Sequence, residues 1–486
     1  MFKYQSLVIF LKKRRNFLFI YVLCRMFALK LKIKTKMILR AKFENILSFN
    51  SETEISFIAG KGTSLPAHVY RAEKRDDISV LRSSIIYGAN ASGKSNMIRC
   101  VNILKKIALG RFPKNNWDVF KLAPEKKVDS KLEIEIKADS SYYSYGVIFN
   151  LRGIKKEWLY QINSRTKKKI FERIQEIDYA NYSFGEIEGN EESKQFVKFL
   201  SEGTPADKSF LSEYRKRNGK GIIAISNVYN WFDDNLKIIF PETRFRGLSF
   251  RLEKDDEFSN VTKKLLHFFN TGISDLKKVA TNKEETDLPK KLISQILSEA
   301  KPDENCCVAS SDQQSVYFFE TDKEGQTKIY KQMTVHKNSQ DEDVVFDMDE
   351  ESDGSIRLLD FIPMLIDLQF NSAVYLIDEI DRSMHPIMSQ KIFEYYFSQL
   401  SNANNTQLIC TTHESHLLDV DFIRTDEVWF VEKERDGSTR LTSLANFKPR
   451  VDIRKSYLQG KYGAIPFFAN VNTLNWNKLK DGDMVK

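Results

Sequence analysis

The residues at positions 88–95 have types and a spacing that suit phosphate binding. They read Gly-Ala-Asn-Ala-Ser-Gly-Lys-Ser, the GxxxxGK[ST] (Walker A) pattern, between an apolar segment typical of a strand and one typical of a helix. The glycines let the backbone curl until peptide N–H groups surround a phosphate, and the helix N-terminus adds positive potential. In such a loop Lys94 contacts the terminal phosphates of ATP and Ser95 binds Mg²⁺. We therefore predict a nucleotide site made of Gly88, Ala89, Asn90, Ala91, Ser92, Gly93, Lys94, Ser95 and Asn96.

A pair of carboxylates, Asp378 and Glu379, directly follows the short apolar run Ala373–Ile377. A continuous apolar run of this length suits a strand that is buried on both faces of a parallel sheet. At a strand end beside a phosphate loop, Asp378 is placed to bind Mg²⁺ and Glu379 to orient or deprotonate an attacking water. We predict that Lys94 and Glu379 take part in ATP hydrolysis and that Ser95 and Asp378 are the Mg²⁺ ligands.

A second apolar run, Gln407–Thr411, leads to Thr412 and His413. Ligands of open α/β sheets bind at the carboxyl ends of the strands, so His413 is a candidate catalytic contact for the γ-phosphate. Two alternatives stay open: His413 is an ordinary loop histidine, or Cys410, His413 and His416 bind a metal. The metal alternative lacks an evident fourth ligand.

Hydrophobic periodicity predicts the elements that position these residues. Strands are expected at Ile38–Phe43, Glu54–Ala59 and Ser83–Tyr87, and alternating apolar residues from 132 to 162 predict an antiparallel β region. Apolar positions at helical spacing predict a helix after the loop: Met97, Ile98, Val101, Leu104 and Ala108. Strands alternate with helices at both ends of the chain but not in its middle. This arrangement predicts an α/β head with a mixed sheet whose two halves flank an insertion.

The same pattern divides the chain into four segments. Residues 1–36 are a basic, apolar extension, and residues 37–162 are the N-terminal lobe of the head. Residues 163–300 are rich in Lys, Glu, Asp and Asn and are predicted to be a mostly helical insertion, an arm or a lid. Residues 301–486 are the C-terminal lobe, which contains the carboxylate pair and His413.

The net charge of +9 is unevenly distributed along the chain. Residues 1–36 hold ten cations and no carboxylate, so residues 37–486 sum to −1. A neutral body gives no indication of DNA binding, although it does not exclude DNA as a partner. Three interpretations of residues 1–36 stay open: an amphipathic surface anchor, a targeting sequence, or residues added by an upstream start codon, with Met37 as the natural first residue.

The composition favours neither a membrane protein nor a disulfide-rich secreted domain. The apolar runs Leu7–Leu11 and Phe17–Cys24 are interrupted by Lys or Arg well before the roughly 20 residues that a membrane span needs. The five cysteines are scattered and odd in number, which is typical of a reducing compartment. The sequence therefore predicts a cytoplasmic protein. No transmembrane partner is expected, because nothing in the sequence resembles a transporter-docking surface.

In this order the motifs resemble those of ABC-type ATPases of the SMC, RecF and OLD group. Within that group the chain is similar to stand-alone ATPases of prokaryotic defence and abortive-infection systems, such as RloA, AbiLi and the AriA subunit of the PARIS system. The segments that carry the resemblance lie on both sides of the insertion: Ile38–Phe49, GANASGKSN at 88–96, ESDGSIRLLD at 351–360, LIDEIDRSMHP at 376–386, CTTHESHLLD at 410–419 and YLQGKYGAIP at 457–466.

The resemblance implies further site residues. It implies that His413 is a switch histidine and that Asp381 is the D-loop residue. It also implies a signature loop, which closes over ATP held by a second subunit and consists of Ser352, Asp353, Gly354 and Ser355. Without the resemblance, a Ser-Asp-Gly-Ser run before a helix is simply a good N-cap. The chain departs from the family pattern in two places, because its signature is not LSGGQ and no glutamine after the first helix can be assigned to the Q-loop.

Together these expectations give the hypothesis of a Mg²⁺-dependent ATPase whose heads pair, as a homodimer or higher oligomer, when ATP binds. The resemblance implies that this motion controls an effector protein encoded nearby, in antiphage defence. Two other functions stay open: an ATP-gated scaffold with little turnover, and a RecF-like ATPase of DNA repair. The basic and aromatic stretch Lys448–Tyr462 either contacts nucleic acid or packs against the protein itself.

Overall fold

The structure, a computed structural model, describes most of the chain from residue 35 onward. The described ranges are 35–72, 77–114, 117–125, 127–176, 179–185, 191–219, 221–245, 248, 251–252, 255–310, 315–370, 372–399, 405–418, 422–447 and 452–465. The extension at 1–36 lies outside these ranges except for its last two residues. Within them, no helix combines the length and the apolar character needed to cross a membrane.

The helices and strands are numbered in chain order. The strands are β1 (Lys36–Glu44), β2 (Thr53–Ser56), β3 (Val69–Tyr70), β4 (Val80–Leu81), β5 (Ser83–Gly88), β6 (Ser130–Ala138), β7 (Ser141–Asn150), β8 (Gly153–Ile162), β9 (Lys167–Gln175), β10 (Ala180–Phe184), β11 (Leu236–Ile239), β12 (Asp275–Thr281), β13 (Asn305–Ala309), β14 (Val316–Thr321), β15 (Thr327–Lys337), β16 (Asp343–Asp347), β17 (Val374–Ile377), β18 (Gln407–Thr412), β19 (Val428–Lys433) and β20 (Thr439–Ser443). The α-helices are α1 (Lys94–Ala108), α2 (Glu191–Glu202), α3 (Phe210–Lys216), α4 (Ile223–Asn230), α5 (Asp256–Phe268), α6 (Lys290–Glu299), α7 (Asp353–Phe370), α8 (Pro386–Gln399) and α9 (Ile453–Leu458).

Most of these strands belong to three sheets. The N-terminal sheet is antiparallel and has the order β10-β9-β8-β7-β6-β1-β2. The central sheet has the order β11-β17-β18-β5-β19-β20, in which all neighbours are parallel except β19 and β20. The third sheet is antiparallel and contains β12 to β16. The fold is therefore α/β, with a mixed central sheet and an antiparallel β region, as the sequence predicts.

The central sheet is buried on both faces. On β17, Leu376 packs in a cluster shared with the N-terminal sheet, whereas Ile377 packs on the opposite face in a cluster that includes residues of α7 and α8. Ile409 and Cys410 of β18 alternate in the same way. Because successive side chains of a strand point to opposite faces, a sheet covered on both sides needs apolar residues at nearly every position. This burial explains the continuous apolar runs in the sequence.

The elements predicted around the site are present. β5 ends at Gly88 and α1 begins at Lys94. β17 ends at Ile377, directly before Asp378, and β18 ends at Thr412. The apolar positions that predicted α1 are all buried. The phosphate loop and the carboxylate pair therefore occupy the strand ends that the sequence indicates.

The segment 163–300 requires a correction. Helices occupy more of it than strands do, as expected, but it also contains β9, β10, β11 and β12. β9 and β10 extend the N-terminal sheet, β11 lies beside β17 at one edge of the central sheet, and β12 pairs with β15. Two features explain why these strands are not predicted from the sequence. Lysines dominate the exposed positions of β9, and the pairing of a strand with distant strands leaves no trace in the local periodicity. The segment is therefore part of all three sheets rather than a separate arm or lid.

The tyrosines of the terminal stretch pack inside the protein. Tyr457 on α9 and Tyr462 after it expose only 6% and 7% of their surfaces. Both rings stack on Phe430 of β19, at centroid distances of 5.6 and 5.5 Å. Residues 448–451 lie outside the described part of the chain. These two tyrosines pack against the protein itself, the second of the two alternatives for this stretch, so they are not available for stacking on nucleic-acid bases.

Candidate functional site

The phosphate loop runs from the end of β5 to the first turn of α1. Left-handed backbone at Ala91 (φ 60°) and Gly93 (φ 113°) curls the loop. A Cβ at Gly93 would also collide with the Thr439 hydroxyl, so this position requires glycine. Lys94 Nζ donates to the carbonyl oxygens of Gly88, at 2.7 Å, and Ala89, at 3.1 Å. The lysine is thus folded back over the loop that its motif defines.

Two motifs that lie 283 residues apart in the sequence meet at this site. Ser95 Oγ donates to Asp378 Oδ1 over 3.1 Å. Asp378 is only 2% exposed and also accepts a 2.7 Å hydrogen bond from Thr411 Oγ1. Thr411 lies on β18, the strand between β5 and β17, and its hydroxyl ties the end of β18 to the carboxylate pair after β17. A hydroxyl and a carboxylate that converge on one point are oxygen ligands of the kind that Mg²⁺ prefers.

Glu379 is held mainly by its backbone. Its N–H donates to Thr411 Oγ1 over 2.8 Å. Its φ of 50° is left-handed, a conformation that costs a non-glycine residue about 1–2 kcal/mol and that occurs preferentially at functional sites. Among the described residues, its carboxylate makes one ion pair, with Arg382 at 3.8 Å, and the exposure of that pair means that it holds the side chain weakly. The backbone therefore fixes Glu379 next to Asp378 while its carboxylate can still turn.

His413 lies exposed at the carboxyl edge of the central sheet, just after β18. Its backbone N–H donates to Asp381 Oδ2 over 3.1 Å, which ties the predicted D-loop residue to the end of β18. Cys410 is buried, whereas His413 and His416 are exposed. Among the residues described, no three or more His, Cys, Asp or Glu side chains are grouped so that they could hold a metal ion. The structure therefore does not assemble the alternative metal site.

Burial and charge set the protonation states at the site. Burial lowers the pKa of Lys94 to about 8, although the charges of Asp378, Glu379 and Asp381 act in the opposite direction. Partial desolvation and the charge of Lys94 lower the pKa of His413. At neutral pH the lysine is therefore cationic and the histidine ring is neutral. This combination offers a positive charge to a polyphosphate and a hydrogen-bonding ring nearby.

The predicted signature residues stand at the start of α7 and lie close to Ser383, two residues after the predicted D-loop residue Asp381. Ser352 Oγ accepts a hydrogen bond from Ser355 N over 3.1 Å, so it forms the N-cap that the sequence suggests. A Cβ at Gly354 would lie 2.8 Å from the carbonyl oxygen of Ser383, so glycine permits this close approach. The residues from Ser352 to Ser355, including Asp353, are exposed or partly exposed. Within the described ranges, no hydrogen bond or ion pair joins them to the phosphate loop of their own chain.

Three hydroxyl residues at the site are not predicted from the sequence. Thr411 contacts both carboxylate residues, while Ser48 and Thr439 hold the phosphate loop from outside. Asn96 Nδ2 donates to Ser48 Oγ over 2.9 Å, and Thr439 Oγ1 lies 2.8 Å from both Ser48 Oγ and the carbonyl oxygen of Ser92. Ser48 belongs to a segment that carries the family resemblance, which is a usable signal. Thr411 also belongs to such a segment, 410–419, whereas Thr439 gives no signal, because a single threonine on a strand is ordinary.

Comparison with protein families gives a match over more than half of the chain. The family described as "AAA domain, putative AbiEii toxin, Type IV TA system" matches residues 83–419. The matched range begins at the first residue of β5 and contains the phosphate loop, the carboxylate pair and His413. No curated protein sequence matches the chain.

Two solved structures are similar to the chain at low sequence identity. One is an SMC head bound to the C-winged helix domain of ScpA, with 12% identity and a TM-score of 0.39, covering 87% of this chain and 99% of that chain. Another is the SMC head domain from Thermotoga maritima, with 11% identity and a TM-score of 0.32, covering 84% of this chain and 98% of that chain.

Proposed function

The chain belongs to this AAA-domain family, and from that membership we propose that it is a Mg²⁺-dependent ATPase whose heads pair when ATP binds. The observation that carries the proposal of hydrolysis is the contact of Ser95 with Asp378, with Glu379 anchored beside it by Thr411. A protein that only bound nucleotide would not need a strained glutamate at this position. The site therefore has the parts for binding and for turnover.

The residues at the site fit a Mg²⁺–ATP complex. The curled loop at the start of α1 presents peptide N–H groups, Lys94 adds a charge, and the hydroxyl and carboxylate of Ser95 and Asp378 would hold the ion. When bound, the metal and nucleotide supply the phosphoryl group and neutralise its developing charge. Glu379 then orients or deprotonates water, and His413 contacts the terminal phosphate oxygens.

We further propose that each site is completed by the signature residues of a second subunit. This extension is supported by the outward presentation of Ser352–Ser355 and by their lack of described contacts with the phosphate loop of their own chain. They also stand at the N-terminus of an 18-residue helix, whose free N–H groups and dipole attract phosphate. ATP would close the pair and hydrolysis would open it.

The biological role that we propose is a regulatory ATPase of an antiphage defence system, acting through an effector protein encoded nearby. Its support is the description of the family, which names a type IV TA system, together with the resemblance to defence ATPases. The neutral body and the buried Tyr457 and Tyr462 do not favour the DNA-repair alternative. The effector, rather than this chain, would act on the final target.

The experiment that tests the proposal compares ATP turnover by the wild type and Glu379→Gln, with particle mass recorded with and without Mg-ATP. The wild type should hydrolyse ATP, and Glu379→Gln should lose at least about 100-fold in kcat because the water loses its base. Glu379→Gln should also accumulate as a larger assembly only when Mg-ATP is present. Glu394→Gln, an exposed glutamate on α8, is the matched control and should behave as wild type.

Two outcomes would contradict the proposal. Turnover that survives removal of Mg²⁺ by EDTA would contradict the roles of Ser95 and Asp378. Equal turnover by the wild type and Glu379→Gln would remove Glu379 from the mechanism. If particle mass never responds to ATP, the assignment of Ser352–Ser355 to a second subunit's site is withdrawn.

An ATP-gated scaffold with little turnover is the second candidate, and one contact favours it. The Glu379 carboxylate pairs with Arg382 in the isolated chain, so a rearrangement must precede its use as a base. The signature also lacks the LSGGQ sequence. Both features favour slow turnover that a partner triggers. A scaffold would pair on ATP in the wild type without measurable hydrolysis, and Glu379→Gln would pair equally well.

A further inference from the structure

Tyr87, the residue before the phosphate loop, carries a hydroxyl group that is buried and has no hydrogen-bond partner among the described residues. Its side chain is 0% exposed. On the central sheet it pairs with Thr412 of β18 on one side and Phe430 of β19 on the other. Most buried hydroxyls are hydrogen-bonded, and leaving one unsatisfied destabilises the folded state. Phenylalanine would fill the same space without this cost, so the hydroxyl itself needs an explanation.

The ring of Tyr87 is fixed in place by aromatic neighbours. Its centroid lies 5.7 Å from that of Tyr457 on α9 and 6.2 Å from that of Phe430. Tyr457 and Phe430 are themselves stacked, with an interplanar angle of 11°. The Tyr87 ring therefore has little room to move toward a partner. Any group that satisfies its hydroxyl must come to it.

Asp381 offers a complementary unsatisfied atom. Its Oδ2 accepts a hydrogen bond from His413 N, whereas its Oδ1 is buried without a partner in the described part of the protein. His413 directly follows Thr412, the strand neighbour of Tyr87, so Asp381 and Tyr87 both lie near the same end of β18. Burial raises the pKa of Tyr87 well above its ordinary value, and the charge of Asp381 raises it further. Tyr87 therefore stays protonated and able to donate.

The backbone around Asp381 is held in an unusual conformation. Glu379 and Ser383, which flank it at two residues on either side, both have left-handed φ angles, of 50° and 61°. Such conformations persist in non-glycine residues where the surrounding structure imposes them, and they are found in segments that switch. The carbonyl oxygen of Ser383 also lies close to Gly354 at the start of α7, where a Cβ would be only 2.8 Å from it. The start of α7 is thus packed closely against this segment.

We propose that Tyr87 is a positioning residue for ATP hydrolysis, whose hydroxyl donates to Asp381 Oδ1 when the segment moves on ATP binding. The hydrogen bond fixes Asp381 and, through it, the peptide N–H of His413 at the phosphate side of the central sheet. This inference rests on the proposed ATPase function. It gives a role to a hydroxyl that has no partner among the described residues.

Tyr87→Phe tests the inference because it removes the hydroxyl and keeps the ring. The expected result is a kcat about tenfold below wild type, a KM for ATP within twofold of wild type, and a Tm no lower than wild type. The matched control is Tyr396→Phe, on α8, whose hydroxyl donates to backbone carbonyls of Arg82 and Thr406 at 2.7 and 3.0 Å. The Tyr396→Phe variant should have a lower Tm than wild type and an unchanged kcat.

A second comparison measures whether Tyr87 acts through Asp381. In the Asp381→Ala background, Tyr87→Phe should have no further effect on kcat, because its acceptor is already gone. Additive effects of the two substitutions would overturn the inference, as would a Tyr87→Phe kcat equal to that of an active wild type. A parallel loss of Tm and kcat in Tyr87→Phe would also overturn it, since the hydroxyl would then be structural. Absence of turnover in the wild type would overturn the proposed function and this inference together.

Discussion

Lys94 owes its properties to two opposing effects at the scale of single residues. Burial disfavours its charged form, while three carboxylates, Asp378, Glu379 and Asp381, favour it, and the pKa settles at about 8. A phosphate bound at the loop adds further negative charge and favours the protonated lysine. Binding of ATP is therefore linked to the protonation of Lys94.

The linkage predicts that ATP affinity falls as pH rises above about 8. Below this pKa Lys94 is already protonated and binding is independent of pH, whereas above it each binding event must take up a proton. The Kd for Mg-ATP should then rise by up to about tenfold per pH unit. Isothermal calorimetry at pH 8.5 in buffers of different ionisation enthalpy should detect the proton uptake.

Lys94→Met provides the control for this pH dependence. The Kd of this variant for Mg-ATP should be larger than that of wild type at every pH and should not change between pH 7 and pH 9.5. A wild-type Kd that stays constant over the same interval would show that Lys94 does not titrate there. If Lys94→Met showed the same rise in Kd with pH as wild type, the proton taken up on binding would belong to another group.

Sequence alone identifies the site residues that belong to local motifs. Lys94, Ser95, Asp378 and Glu379 stand in short patterns whose chemistry can be read directly, and the structure brings them together. The sequence could not identify the role of Thr411, because that role depends on the strand order, which places β18 between β5 and β17. The same reason hides Ser48 and Thr439, which reach the loop from other strands and turns.

At the scale of elements, Gln407 joins the central sheet to the N-terminal sheet. It is 0% exposed and lies at the first position of β18, at the opposite end of the strand from Thr412. Its side chain accepts from Ile38 N at 2.7 Å and donates to the carbonyls of Ile38 and Leu81 at 3.0 and 2.9 Å. One amide group therefore bonds backbone groups of both β1 and β4.

Gln407→Leu should lower the free energy of unfolding by roughly 2–4 kcal/mol, because a side chain of similar size leaves buried backbone groups unsatisfied. Urea denaturation followed by tryptophan fluorescence measures the change. Gln295→Leu, on the exposed face of α6, should stay within about 0.5 kcal/mol of wild type. Because Gln407 is remote from the phosphate loop, the Kd for Mg-ATP should not change. Equal stability of Gln407→Leu and wild type would show that the amide is dispensable.

Hydrophobic periodicity predicts a strand or helix well when the same pattern of burial extends over its whole length. β5, β17, β18 and α1 are examples, because burial imposes a simple apolar pattern on each. β11 shows the limit: only Leu236 is buried in this edge strand, and it follows a π-helical turn, Trp231–Asn235, in a segment with helical periodicity. Its place beside β17 is set by a contact between residues more than 130 positions apart.

At the scale of the whole molecule, the third sheet is connected to the signature residues through Glu351. Its carboxylate accepts from Thr334 Oγ1 at 2.6 Å and lies 2.6 Å from His336 Nε2, both on β15. Glu351 directly precedes Ser352, so these contacts tie the start of α7 to the third sheet.

The composite site predicts complementation between two inactive variants. Lys94→Ala removes the phosphate contact of a subunit's own loop, and Ser352→Trp, at an exposed position, blocks the signature residues that it offers to a partner. Each variant alone should be inactive, because every site in its homodimer lacks one part. If the two variants pair without preference in an equal mixture, about half of the dimers are mixed and each of these has one complete site of two, so turnover should recover to about a quarter of wild type. Recovery must require incubation with Mg-ATP, since pairing depends on it. A mixture that stays inactive, or a Ser352→Trp protein that hydrolyses ATP normally by itself, would show that each chain completes its own site.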